Sequence, residues 1–153
     1  MNRVLLASAA VLTSAAAASA GPWIEFSFGA VASVSGPFTV TTTAAEPYLN
    51  ITDGFLSGDQ FDVQILAGPL FSTSVPGSLG DQINNDYDTA FSDARWSSGS
   101  IYLGVGTFQF TVTPSASPFN TGGAAYRISA VPAPASLALV GLGGVVAGRR
   151  RRR

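Results

Sequence analysis

Apolar and polar residues alternate one by one through several short stretches of this chain. In one of them Ile24, Phe26 and Phe28 would share one face of an extended strand, with polar residues on the other face. The same period of two recurs in QFDVQIL at 60–66 and in TFQFTVT at 107–113. No window between these stretches has a sustained helical stripe. The pattern therefore predicts half-buried β-strands.

Pairs of Gly, Pro, Asn, Asp and Ser separate these stretches at short intervals, which is typical of turns between antiparallel strands. We expect an all-β fold, a single antiparallel β-sandwich or jelly-roll-like domain. Its strands are predicted near 23–34, 37–43, 47–52, 60–66, 70–74, 100–104, 107–113 and 123–129. The exception is the long polar loop 76–98, in which one helical turn is expected around 88–95.

Charge and composition exclude several classes of function. The nine acidic residues all lie in the middle of the chain, where only Arg95 and Arg127 oppose them, a balance of −7. A domain of that charge repels a phosphate backbone, so no nucleic acid is expected as a partner. Cysteine and histidine are absent, which excludes disulfides, cysteine nucleophiles and histidine-based serine triads. No enzymatic activity is expected.

The first 20 residues have the layout of a secretory signal peptide. One positive charge at Arg3 precedes an apolar core, and small residues lead to the sequence Ala18-Ser19-Ala20. We expect an N-terminal helix that signal peptidase removes between Ala20 and Gly21. The alternative is a short buried N-terminal helix. The domain itself is then expected over residues 21–130.

The last 23 residues break with the composition of the middle. The uncharged stretch 135–148 would span about 21 Å as a helix, against roughly 30 Å for the hydrocarbon core of a bilayer. Long arginine side chains can extend to the membrane–water interface, so this segment could span a thin bilayer or span a bilayer transiently. The positive-inside rule would keep the arginine cluster on the cytoplasmic side. The alternative is a buried C-terminal helix with a solvated basic end.

The ending has three parts, a short proline motif, an apolar segment that runs from Ser136 to Gly148, and an arginine cluster: Val131, Pro132, Ala133 and Pro134, then 136–148, then Arg149, Arg150, Arg151, Arg152 and Arg153. This layout resembles the PEP-CTERM protein-sorting signal, which is also known as the ice-binding protein C-terminal domain. The usual motif has glutamate where this chain has Ala133. The middle of the chain is similar to the small β-rich domains that such signals carry.

The resemblance implies a sequence of processing steps. The precursor would sit transiently in the inner membrane of a bacterium with a Gram-negative type of envelope. An exosortase would recognise segment 131–153 and remove or transfer it. The mature protein would then reach the cell surface or the extracellular polymer matrix.

The densest polar stretch of the chain, residues 81–96, lies in the predicted loop 76–98. It offers several oxygen-bearing side chains, which are the ligands that calcium takes: Asp81, Asn84, Asn85, Asp86, Asp88 and Asp93. The spacing is not that of an EF-hand. The alternative is a loop held by Asx-turns and helix capping, in which these side chains bond to nearby backbone. No cofactor is expected, with calcium in this loop as the alternative.

Five aromatic residues lie in loops or off the apolar faces of the predicted strands: Trp23, Tyr48, Tyr87, Trp96 and Tyr102. They suggest either a platform on which sugars stack or ordinary anchors of loops and sheet edges. Together the features predict an exported, noncatalytic β-sandwich protein that an exosortase sorts. The alternative is a calcium-assisted carbohydrate-binding module whose partner is extracellular polysaccharide.

Overall fold

A computed structural model describes residues 20–130, which form eight strands and one short helix. The elements in chain order are β1 (Ile24–Phe28), β2 (Ser35–Thr42), β3 (Tyr48–Asp53), β4 (Gln60–Ile65), β5 (Leu70–Ser72), α1 (Tyr87–Ser92), β6 (Ser98–Tyr102), β7 (Gly106–Ala116) and β8 (Gly122–Ser129).

The strands form two four-stranded antiparallel sheets. The first sheet has the order β1-β8-β3-β6 and the second has the order β2-β7-β4-β5. All connections except that between β4 and β5 cross from one sheet to the other, which is the arrangement of a jelly roll. The predicted all-β sandwich is therefore confirmed.

The core lies between the two sheets and is built by the apolar faces that the alternation predicts. Phe61, Val63 and Ile65 of β4 are almost fully buried, as are Phe110 and Val112 of β7. They pack against the residues that the first sheet turns inward: Phe26, Phe28, Leu49, Ile51, Ala124 and Tyr126. The period of two thus identified the inward face because successive side chains of a strand point to opposite sides.

The first predicted strand is shorter than expected. β1 ends at Phe28, and the chain then turns through Ala32, whose φ is 68°. The apolar pattern continues into this turn, but Val31 and Val34 are exposed there. Ile24 is also exposed, because it begins a strand at the edge of its sheet.

Strand β7 is longer than predicted and runs through Pro114 to Ala116. Proline has no N–H for the ladder, so it interrupts strand pairing unless it lies at an irregularity. Here the register between β4 and β7 shifts beside Pro114, between Gln60 and Phe61. This shift lets the strand continue to the level of the β3–β4 loop.

The predicted loop 76–98 contains the expected helical turn, since α1 spans Tyr87–Ser92. The segment is not a purely exposed polar loop, because Tyr87, Phe91 and Trp96 are buried. It covers the outer face of the first sheet, and Ser97 O accepts hydrogen bonds from Asp53 N at 2.9 Å and from Thr52 Oγ1 at 3.3 Å. As a result β3 is buried on both faces.

The predicted N-terminal and C-terminal helices lie outside the described residues. So do Ala18, the motif Val131, Pro132, Ala133 and Pro134, the segment from Ser136 to Gly148, and Arg149 to Arg153. Ala20 and Gly21, which flank the predicted cleavage site, are described and lie beside the end of β8. Among residues 20–130 no helix is long and apolar enough to cross a membrane.

Candidate functional site

The predicted calcium loop begins with two residues that hold it against the β3–β4 loop. Asp81 accepts a hydrogen bond from Ser78 Oγ at 2.8 Å and forms an ion pair with Arg95 at 3.4 Å. Asn84 has a φ of 58°, and its side-chain oxygen accepts from Gln82 Nε2 at 3.1 Å. Its backbone oxygen accepts from Phe55 N at 2.8 Å. Both residues therefore fix a turn.

Asp86 and Asp93 bracket α1. Asp86 is the N-cap residue, and its two carboxylate oxygens accept from Thr89 N at 3.1 Å and from Thr89 Oγ1 at 2.7 Å. These bonds lower the pKa of Asp86. Asp93 ends the helix and pairs with Arg95 at 2.6 Å, which lowers the pKa of Asp93. Asp86 thus caps the helix with its carboxylate, and the Asp93 carboxylate accepts from the backbone N–H and the side chain of Arg95, as the alternative interpretation of this loop expects.

Asp88 connects α1 to the first sheet. Its Oδ1 accepts a hydrogen bond from Trp23 Nε1 at 3.1 Å and forms an ion pair with Arg127 of β8. The Arg127 guanidinium lies 4.1 Å from the centre of the Trp23 ring and 5.6 Å from that of Phe91. Asp88 and Arg127 therefore hold the helix on the sheet through charge and aromatic stacking.

The predicted calcium ligands do not converge. Within residues 20–130 no group of three or more Asp, Glu, His or Cys side chains has the geometry to hold a metal ion. Asp81, Asp86, Asp88 and Asp93 each accept hydrogen bonds from protein donors. Calcium in this loop stays a prediction that these contacts do not favour.

The five aromatic candidates do not form one exposed platform. Tyr87 and Trp96 are buried, and Trp23 is half-buried beneath Arg127. Only Tyr48 and Tyr102 pair toward the surface, with ring centres 5.4 Å apart. These positions favour the alternative of ordinary loop and sheet-edge anchors, because the segment 76–98 folds back over the first sheet.

Two aspartates that the sequence marks only as turn formers are buried in the β3–β4 loop. Asp53 is fully inaccessible and Asp59 is 3% exposed. Asp53 Oδ1 accepts from Gly54 N at 2.8 Å, and Asp53 Oδ2 accepts from Asp59 N at 3.3 Å. The Asp53 carboxyl therefore closes the loop by bonding to its backbone.

Burial changes the acidity of both groups. Burial, and after it the negative charge of Asp59, raise the pKa of Asp53 to about 8, against the opposing effect of the backbone N–H donors. Burial also raises the pKa of Asp59, and the neighbouring hydroxyl of Ser117 opposes that rise. Desolvation disfavours the charged form of an acid, which is the common cause.

A pocket of about 350 Å³ lies beside this loop. Asp59 contributes its acidic group, and Phe55 and Phe119, each about two-fifths exposed, contribute apolar surface. Phe55 has a φ of 53°, rare for a bulky residue, and backbone hydrogen bonds to Ile83 and Asn84 hold it there. The rest of the lining is small or polar apart from Leu56: Ser27, Gly54, Thr121, Gly122 and Gly123. A pocket of this size suits a small ligand.

No protein-family model matches the chain, and no curated protein matches it in sequence. The residues of the pocket and of the two chain ends are therefore the basis for any functional assignment.

The sequence contained little that would have distinguished Asp53 and Asp59 from the other aspartates. Both stand beside glycine, as an exposed turn former would. The one available signal is position, because Asp53 follows directly on a predicted strand and Asp59 comes just before another. Whether such positions are buried depends on what packs over them.

Proposed function

We propose that this chain is an exported, noncatalytic β-sandwich protein of the cell surface or extracellular matrix, sorted by an exosortase through residues 131–153. In this proposal signal peptidase removes residues 1–20. The segment 131–153 holds the precursor in the inner membrane until it is processed. The sandwich stays outside throughout.

The observation that carries the proposal is that the two ends of the sandwich pair with each other. Gly21 N, at the start of the mature chain, donates to Ile128 O at 2.9 Å, and before cleavage Ala20 forms a β-bridge with Ser129. The first and last described residues of the domain therefore lie close together. A domain whose two ends lie close together can be tethered on one side of a membrane through either end.

The distribution of charge supports the same proposal. A membrane-held tail ending in Arg149 to Arg153 retains its arginines on the cytoplasmic side, while the acidic sandwich lies on the other side. For the noncatalytic part, the support comes from Asp53 and Asp59. Two carboxyls acting on a glycoside must both reach the sugar, yet Asp53 is fully inaccessible and only Asp59 lines the pocket.

Replacing Arg149 to Arg153 by glutamine tests the sorting step. We expect the wild-type chain to appear first as a membrane-bound precursor and later as a shorter form cut near residues 131–134. The glutamine variant should leave the membrane fraction early with residues 131–153 still attached, because the charge that retains the tail is gone. Pulse-chase labelling in a host that carries an exosortase, with mass spectrometry of the C-terminal peptide, measures this.

Arg95→Gln is the matched control, since it removes an exposed arginine from the sandwich and leaves the tail intact. It should be processed like the wild type. Identical kinetics for the wild type and the tail variant, with residues 131–153 intact in both final products, would refute the sorting proposal.

A second candidate function is calcium-assisted binding of a carbohydrate, and the pocket beside Asp59 favours it. Phe55 and Phe119 present exposed rings there, and a sugar ring packs its C–H face against such rings. Asp59 supplies an acceptor for sugar hydroxyls or a ligand for a cation. In this case the protein would bind polysaccharide of the extracellular matrix.

Phe119→Ala tests this second candidate. We expect it to weaken binding of a soluble polysaccharide about tenfold, because one aromatic contact contributes up to about 1.5 kcal/mol. Tyr102→Ala is the control, since it removes a more exposed ring that does not line the pocket. Calorimetric titration of the full-length chain measures both variants. Loss of binding in Tyr102→Ala alone would assign the sugar to the Tyr48–Tyr102 pair, and no binding by the wild type would remove the candidate.

A further inference from the structure

Two buried side chains, Asp59 and Ser117, lie close together beside the pocket. Asp59 is 3% exposed and Ser117, just after β7, is 8% exposed. Their side chains are neighbours, and the Ser117 hydroxyl is close enough to oppose the rise in the pKa of Asp59. Neither Asp59 Oδ1 nor Ser117 Oγ has a hydrogen-bond partner of regular geometry. A buried carboxylate oxygen without a regular hydrogen bond destabilises the folded state unless a positive charge lies beside it.

No basic side chain of the described residues fills that role. Lysine and histidine are absent from the whole chain. Of the two arginines in residues 20–130, Arg95 pairs with Asp81 and Asp93, and Arg127 pairs with Asp88. The carboxyl groups of Asp59 and Asp53 therefore lie side by side without a protein cation in this part of the chain.

We infer that Asp59, Asp53 and the Ser117 hydroxyl form a binding site for one calcium ion at the inner end of the pocket. Asp59 and Ser117 offer the two unpartnered oxygens, and Asp53 offers the second carboxylate. The pocket, which Asp59 lines, gives the ion a path to solvent and room for the waters that complete its shell.

The contacts of Asp53 are compatible with a bound cation. Both of its carboxylate oxygens accept backbone N–H groups, those of Gly54 and Asp59, and that pattern stabilises an ionised carboxylate. Two ionised carboxylates side by side repel each other. A cation between them removes this repulsion and both desolvation costs at once.

The ligand types indicate calcium rather than another metal. Carboxylate, hydroxyl and water oxygens suit hard cations, whereas the imidazole and thiolate ligands of zinc and copper are absent. Calcium accepts six to eight oxygens in flexible geometry, while magnesium requires a near-ideal octahedron and retains its waters. A site with three side-chain contributors and an open side fits calcium better. The site is distinct from loop 81–93, whose carboxylates accept protein donors.

The test is a thermal melt of the full-length chain in mild detergent, first in EDTA and then in millimolar CaCl2. We expect calcium to raise the melting temperature by roughly 10 °C once it exceeds its dissociation constant a hundredfold. Calorimetric titration should give one ion per chain. The inference requires no export or sorting, because both measurements use the purified chain.

Asp59→Asn distinguishes the loss of calcium binding from a general effect on folding. Without calcium this variant should melt above the wild type, because it removes a buried charge. It should show no calcium response. Ser117→Ala should fold and bind calcium several-fold more weakly.

Asp93→Asn and Asp62→Asn are the matched controls and should respond to calcium like the wild type. The first lies in loop 81–93, and the second bears an exposed carboxylate on β4 that accepts a bond from Ser72. A wild-type melting temperature unchanged by calcium would overturn the inference and leave a proton-sharing carboxyl pair. A response lost in Asp93→Asn but retained in Asp59→Asn would overturn it in favour of the loop.

Discussion

Raising the pH from 5 to 9 in EDTA should lower the free energy of unfolding by about 5 kcal/mol, and Asp53 should account for most of the loss. In the folded chain its pKa is about 8, against 3.8 for an unperturbed aspartate. Below about pH 4 both states are protonated and no stability is lost. Between these values the unfolded chain releases a proton that the folded chain retains, so stability falls as the pH rises. Asp53 contributes about 4 kcal/mol, because each of the roughly three pH units between pH 5 and its folded pKa costs about 1.4 kcal/mol, and Asp59 adds to this loss.

The groups around Asp53 reinforce this dependence. Asp59 repels the charged form, and its own pKa is raised by burial, so it acts in the same direction. Tyr87 of α1 keeps its proton across the range, because burial and the charge of Glu25 raise its pKa to about 12. The lowered pKa values of Asp86 and Asp93 act below about pH 4 and leave this window unaffected.

Asp53→Asn should flatten the profile, because asparagine is similar in shape and does not titrate. Asp62→Asn, with its exposed carboxylate, should keep the wild-type slope. Urea unfolding at five pH values between 5 and 9 measures the free energy directly. A profile of Asp53→Asn that matches the wild type would show that another group controls the dependence.

Phe61→Ala should lower the free energy of unfolding by about 4 kcal/mol. Phe61 is fully buried between the sheets, and its ring lies 4.9 Å from that of Phe28 and 6.5 Å from that of Phe26. Removing it leaves a cavity that neighbouring rings on two rigid sheets fill poorly. Since a domain of this size has a total stability of only 5–15 kcal/mol, the variant should approach the unfolding threshold.

Leu70→Ala is the control for this variant, because it removes an aliphatic side chain that is 59% exposed on the edge strand β5. It should change the free energy of unfolding by less than about 0.5 kcal/mol. Urea unfolding at pH 6 in CaCl2 compares the two without interference from Asp53. Equal losses in both variants would contradict the placement of Phe61 at the centre of the core.

The strand β3 shows where prediction from the sequence ends. The sequence predicted a strand near 47–52 without assigning its two faces. Leu49 and Ile51 lie toward the other sheet, and Asn50 and Thr52 on the opposite face are buried as well. A period of two identifies two faces of a strand and says nothing about what covers the second one. Here that cover is α1 and the chain around it.

The two ends of the domain give a second example. The alternation predicted a strand near 23–34 and another near 123–129, without saying that they are neighbours. Their pairing places Gly21 beside Ile128, so the two ends of the domain lie close together, which is the observation that the sorting proposal uses. Which strands pair across about a hundred residues is a property of the topology. The local alternation of residues does not predict it.

The sequence by itself determined the fold class, the approximate strands and the inward faces of β1, β4 and β7. These follow from local period and turn residues, which act within a few positions of the chain. Only the tertiary structure decided which aspartates are buried. Asp53 and Asp59 look like their exposed counterparts in sequence, and they differ because Ser117 and the glycines of β8 come from more than 50 positions away to enclose them. Burial is a property of the packed layers, and the acidity of these groups and the proposed calcium site depend on it.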